Sequence, residues 1–172
     1  MIPPSPWVQV YLDQIPRSGM VLDLACGQGR HARFLAERGY PVLAVDRDGE
    51  ALATMSDVPG IVTCCVDLEG PAWPLAGEVF AGIVVTNYLW RPRLDDMLAA
   101  LLPGGVLIYE TFMVGNARFG KPANPDFLLQ PGELLQVAQR HGLEIIASAE
   151  GEVDQPKPAV TQRLTARRPV AA

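Results

Sequence analysis

The chain lacks the means for a disulfide framework. Its 172 residues hold three cysteines, two of them neighbours (Cys64 and Cys65), and no Cys-x-x-Cys pair. That argues against both a stapled fold and a zinc site, and no metal is expected. No apolar run approaches the roughly 18 residues of a membrane span. The start, Met-Ile-Pro-Pro-Ser-Pro, has no cationic segment leading into an apolar one. It does not read as a signal peptide, and a reduced, soluble, cytoplasmic protein is expected. Positive charge is also short. Fourteen Lys+Arg against nineteen Asp+Glu leave a net charge of -5, which argues against sequence-blind binding of nucleic acid or anionic lipid. Neither a repeat nor an internal linker is evident, so residues 1–172 read as one domain. With 49% hydrophobic and 19% charged residues, wholesale disorder is excluded.

A regular alternation of elements is present. Three prolines in residues 1–6 make an irregular lead-in, and Trp7 to Ile15 has loosely helical spacing until Pro16 stops it. Residues 1–17 are thus an N-terminal extension of a core at 18–168. Met20 to Ala25, Pro41 to Asp46, Gly60 to Val66, Val79 to Thr86 and Val106 to Thr111 read as strands. Helices are expected over Arg30 to Arg38, Asp48 to Met55 and Leu94 to Leu102, the last closed by Pro103-Gly104-Gly105. Phe112 to Leu129 is long and without period. Pro131 to His141 is a helix, and Leu143 to Ala149 and Val160 to Ala166 are two last strands. This pattern predicts a doubly wound α/β fold with a mostly parallel seven-stranded sheet, helices on both faces and an antiparallel last strand. Ligands in such sheets sit at the carboxyl ends of the strands near the switch point.

The chemistry-bearing residues follow the strands. After the first stands Asp23-Leu24-Ala25-Cys26-Gly27-Gln28-Gly29-Arg30, where the glycines allow a sharp turn and close approach of a ligand. Asp46 follows the second strand 19 residues after Gly27, a spacing that suits an acid accepting from ribose hydroxyls. Asp67-Leu68 follows the third and suits an exocyclic amine with Leu68 beside the ring. Asn87-Tyr88 follows the fourth. Gly27-x-Gly29-x-x-Ala32 also fits a degenerate dinucleotide fingerprint, so two nucleoside cofactors compete. Asp23 decides between them. Its carboxylate would face and repel a pyrophosphate, whereas it suits the ammonium end of S-adenosylmethionine, which carries a sulfonium and no phosphate.

Val21 to Arg30 resembles the first motif of the class I S-adenosylmethionine-dependent methyltransferases. Asp46 matches their ribose-binding acid, Asp67-Leu68 their adenine-side motif, and Leu102-Pro-Gly-Gly-Val106 the turn before their fifth strand. The stretch Tyr109-Glu-Thr-Phe112, Gly115-Asn116, Phe119-Gly120, Pro122 and Asn124 to Leu129 is similar to a small bacterial, tellurite-resistance-like branch. The resemblance spans roughly residues 18 to 168 and implies S-adenosyl-L-methionine as cofactor, held by Asp23, Ala25, Cys26, Gly27, Gly29, Asp46, Arg47, Asp67, Leu68 and Asn87. Ala81, where many relatives carry Asp, departs from the pattern and leaves the cofactor reading intact.

The acceptor side is less defined. Trp90 and Arg91 follow the strand closest to the transferred methyl. Asn116 and Phe119 lie on the aperiodic stretch, and long loops in compact domains tend to be lids. Residues 112–129 are therefore expected to close over a substrate, with these four touching it. Tyr88, Tyr109 and Glu110 are candidate bases for an acceptor that must lose a proton. A soft acceptor such as sulfur or a metalloid oxyanion would need none. His31 is expected as a solvated helix residue. Amino-group methylation of bases commonly uses an Asn/Asp-Pro-Pro-aromatic tetrad, and here the run is Asn87-Tyr88-Leu89-Trp90. A small molecule is the expected acceptor. The alternatives are a non-catalytic cofactor-binding module acting through a partner, an RNA methyltransferase, and a short NAD-binding oxidoreductase.

Overall fold

The computed structural model describes residues 1–171. Strand and helix alternate as β1 (Val21–Leu24), α2 (Arg30–Glu37), β2 (Val42–Asp46), α3 (Gly49–Ala53), β3 (Ile61–Cys65), β4 (Phe80–Thr86), α4 (Leu94–Ala99) and β5 (Leu101–Phe112), preceded by α1 (Pro6–Tyr11). Then come α5 (Glu133–Arg140), β6 (Glu144–Val153) and β7 (Ala159–Arg167). The seven strands form one sheet in the order β3-β2-β1-β4-β5-β7-β6. β3, β2, β1, β4 and β5 run parallel, while β7 is antiparallel to both β5 and β6. The order reverses between β1 and β4, where a doubly wound sheet opens its ligand crevice.

The central strands are apolar on both faces because helices cover both. On one face Ile83, Val85, Leu107 and Tyr109 pack with Leu94 and Met97 of α4 and Leu134 and Val137 of α5. On the other, Val84, Val106 and Ile108 pack with Val8 of α1, Phe34 and Leu35 of α2 and Leu52 of α3. Gly82 is small because Ile15 lies against it: a Cβ there would stand 2.7 Å from Ile15 Cγ2.

Several boundaries depart from the periodicity. The helix expected over 94–102 ends at Ala99, and Leu101 already pairs with Phe80 in the sheet. Pro103-Gly104-Gly105 therefore lies inside β5 rather than closing a helix. The register shifts there, and the Gly104 N–H donates to the Arg168 carbonyl at 2.7 Å, so the end of β7 satisfies backbone groups that the sequence assigned to a turn. α1 is a single capped turn followed by a 3-10 turn at Leu12–Gln14. β6 runs four residues past the expected Ala149 because β7 pairs with it as far as Val153. The aperiodic stretch holds two 3-10 turns, Asn116–Phe119 and Pro125–Phe127, and a bridge between Met113 and Leu129 closes it into a loop.

Candidate active site

Two hollows lie along the carboxyl ends of the parallel strands and share Ala25 and Asn87. One, of about 350 Å³, runs from Asp46, Arg47, Asp67, Leu68 and Glu69 past Tyr88 to Thr111, Phe112, Pro122 and Phe127. The other lies over the glycine turn, against Cys26 to Arg30, Thr86, Met1 and Ile2. Together they make one trough crossing five strands, of a size suited to a nucleoside-bearing ligand.

The glycine turn is held from two sides. Cys26 N–H donates to the Val45 carbonyl, and Gly27 N–H donates to Asp46 Oδ2 at 2.8 Å. Asp46 Oδ1 accepts from Asp48 N–H at 3.0 Å. The acid that ends β2 is therefore already fixed by two amides, and its carboxylate keeps further lone pairs for a ligand. Gly29 starts α2 at φ 80°, and a Cβ there would stand 1.9 Å from Met55 Sδ. Two non-glycine residues, Ala25 (φ 53°) and Asn87 (φ 56°), also adopt left-handed backbone where the trough is deepest. Such strain at a ligand cleft is a mark of a functional turn.

Asp23 lies beneath the trough rather than in its lining. It is buried, its Oδ2 has no hydrogen-bond partner, and burial pushes its carboxyl up to about 7 despite the Ala32 amide. An unpaired buried acid is costly unless something cationic approaches it. Cys26 is no nucleophile: burial, with Asp23 and Asp46 adding to it, pushes its thiol far above the usual range.

None of the three candidate bases stands ready to accept a proton. Tyr109 is buried and its hydroxyl donates to the Tyr88 carbonyl at 2.6 Å, so it shapes the turn after β4. Tyr88 Oη is buried without a partner, and desolvation and the carboxylates of Glu69 and Asp67 hold its proton on. Those carboxylates place it toward the β3 end. Glu110 points through the opposite face of the sheet, accepts from Ser5 Oγ at 2.8 Å, and is raised by burial.

The four residues expected to touch substrate also lie outside the trough. Trp90 packs in a separate small cavity with Trp73, Arg93 and Met97. Arg91 is consumed as a fastener: it holds Glu133 with Nε and Nη2 at 2.7 and 2.9 Å and donates to the Asp126 and Leu128 carbonyls. Asn116 is buried, accepting from Val160 N–H and donating to the Pro122 carbonyl. Phe119 is exposed beneath the Arg118 guanidinium. The loop touches the trough through Pro122 and Phe127 instead, and no sequence period marked them. His31, expected in solvent, is buried: Nε2 accepts from Ser5 N–H at 2.9 Å, so the ring N–H at Nδ1 donates to Thr86 Oγ1 at 3.2 Å. Burial depresses it to about 3 and keeps it neutral.

Residues 21–105 match the family model described as a methyltransferase domain. That stretch is a methyltransferase domain, and the chain as a whole resembles the S-adenosylmethionine-dependent methyltransferases. Among curated proteins it is similar to the tRNA U34 carboxymethyltransferase of Hahella chejuensis, at 29% identity over 154 residues, which are 83% of this chain and 45% of that protein. The chain thus spans less than half of that relative. The fold is shared with TehB from Haemophilus influenzae (TM-score 0.74, 22% identity, 94% of this chain and 61% of that one). It is shared too with the glycopeptide N-methyltransferase MtfA complexed with S-adenosyl-L-homocysteine (TM-score 0.66, 18% identity, 95% and 88%). No helix among the described residues is long and apolar enough to cross a membrane.

Proposed function

We propose that this methyltransferase transfers a methyl group to a small molecule, the whole chain acting as one domain. The observation that carries this reading is the trough at the strand ends, which continues from Asn87 past Tyr88 to Thr111, Phe112, Pro122 and Phe127. The residues present fit S-adenosylmethionine as cofactor. Asp67 and Leu68 suit the adenine, and Asp46 retains acceptor capacity for ribose hydroxyls. Gly27 leaves open space where a side chain would stand, and the unpaired Oδ2 of Asp23 supplies negative charge beneath the amino-acid end. Arg30, half-buried beside the glycine turn, adds a cation for a carboxylate. Asn87 lines both hollows and joins the cofactor side to the acceptor side.

S-adenosylmethionine, when bound, supplies an electrophilic methyl on a sulfonium. The protein's task is then alignment and exclusion of water. Residues 112–129 act as a cover on the acceptor side, held by Arg91 and Asn116. The similarity to a tRNA-modifying enzyme favours a second reading, an RNA acceptor, against which the net charge of -5 weighs.

Calorimetric titration with S-adenosylmethionine, S-adenosylhomocysteine and NAD tests the reading. Micromolar binding of the two adenosyl ligands without NAD is expected. Saturable NAD binding, or no adenosyl binding, would reject it.

A further inference from the structure

The two ends of the trough differ in character. Every charged residue lining the hollow of about 350 Å³ (Asp46, Arg47, Asp67 and Glu69) lies at the β2–β3 end. The β5 end is walled by Leu89, Thr111, Phe112, Pro122 and Phe127, with no charge. Phe127 is 39% exposed and lines the hollow, so its ring keeps free apolar surface at the mouth of the cleft. Its loop is not loose. Arg91 holds the carbonyls on either side of Phe127, at Asp126 and Leu128, and Asn124 Oδ1 accepts from Asp126 N–H at 3.0 Å. A rigid loop that presents an aromatic ring to an apolar wall is a preformed slot for another flat, apolar group.

The same end has no group to accept a proton. Tyr109 spends its hydroxyl on the Tyr88 carbonyl, and Glu110 faces Ser5 on the far side of the sheet. An acceptor atom that carries a proton must therefore lose it to water before transfer.

Resting on the methyltransferase reading above, we propose that the β5 end of the trough is the acceptor site, that Phe127 with Phe112 and Pro122 determines its specificity, and that the acceptor is a ring-sized apolar molecule, an aromatic thiol in chemical class, whose only charge sits on the reacting sulfur. In the transfer the thiol proton has already left to water. The thiolate sulfur forms a bond to the methyl carbon as that carbon's bond to the sulfonium breaks, and the electron pair of the broken bond stays on the departing thioether. The uncharged wall of the β5 end offers no cation to a compact inorganic oxyanion or to a second charge on the ring, so desolvation disfavours both.

The test uses the full chain and three probes: thiophenol, 4-mercaptobenzenesulfonate and selenite, with methylated products read by mass spectrometry. Binding of thioanisole to the protein saturated with S-adenosylhomocysteine is measured in parallel by calorimetry. The expected result is a kcat/KM for thiophenol at least ten-fold above those for the other two. Thioanisole should bind the complex, and Phe127→Asp should weaken it at least ten-fold while Phe127→Leu retains it and both keep affinity for S-adenosylhomocysteine. Faster turnover of the sulfonate or of selenite, indifference of thioanisole binding to Phe127→Asp, or no transfer to any thiol by a protein that binds S-adenosylhomocysteine would each overturn the proposal and leave the cofactor reading standing. Absence of S-adenosylhomocysteine binding would overturn both.

Discussion

Asp23, proposed above to serve cofactor binding, weighs against the ligand-free fold. Its carboxyl titrates near 7 in the folded chain and near 3.8 when unfolded. The folded state thus holds the proton more tightly, and stability falls as pH rises from about 4 to about 7. Binding of a cationic amino group favours the ionised form. Affinity for S-adenosylmethionine should therefore rise as pH is raised through 7 and then level off, as calorimetry across pH 5.5 to 8.5 would show. Asp23→Asn should flatten that dependence and weaken binding, while the ligand-free protein gains about 1–2 kcal/mol in a denaturant titration at pH 8. His31 acts in the opposite direction. Its ring is held neutral, with a folded value of about 3 against 6.5 when unfolded, so stability is lost as pH falls below about 6.5. The two slopes oppose each other between pH 4 and 6.5. Asp23→Asn should expose the His31 slope, and the variant should lose more stability than the unaltered protein between pH 7 and 5.

Among the elements, the loop at 112–129 and the lead-in at 1–6 depend on fasteners rather than on regular structure. Arg91 makes two bonds to Glu133 and two to backbone carbonyls of the loop. Arg91→Ala leaves the half-buried Glu133 carboxylate with only the Gln130 amide as a hydrogen-bond donor and should cost about 1–3 kcal/mol. Hydrogen exchange at Leu128 and Leu129 should quicken at least ten-fold. Arg91→Lys should recover little, because an ammonium cannot reproduce the planar fork. Ser5 is the fastener of the lead-in. Its hydroxyl caps α1 by accepting from Trp7 N–H at 3.1 Å and donates to Glu110, while its amide donates to His31. Ser5→Ala should destabilise the protein by about 1–2 kcal/mol in thermal unfolding. Both fasteners are long-range pairs, 42 residues apart for Arg91 and Glu133 and 105 for Ser5 and Glu110. No local pattern marks such partners, which is why Arg91 and Glu110 read as site residues from their positions, Arg91 after β4 and Glu110 near the end of β5.

For the whole molecule, stability rests on a central sheet buried on both sides. Ile108 is fully buried on the α1–α2 face, and Ile108→Ala should cost about 2–5 kcal/mol in equilibrium denaturation. The doubly wound architecture was legible because each central strand is an apolar run and each crossover helix carries its own stop. The trough edge proposed here for the cofactor was legible for a related reason. Ala25, Asp46, Asp67 and Asn87 follow directly on their strands, and a parallel sheet brings all such positions to one edge.

Local chemistry thus determined the alternation of elements and which residues stand at the strand ends, since each depends on residues close to one another in the chain. Tertiary structure alone decided the rest. It decided which face of the sheet Tyr109 and Glu110 each took, and it buried His31. It gave Arg91 and Asn116 to the fastening of a loop, and it brought Pro122 and Phe127 to face Thr111 and Phe112. Which side of an element faces the cleft is set by packing against segments distant in sequence, and no periodicity within the element encodes that choice.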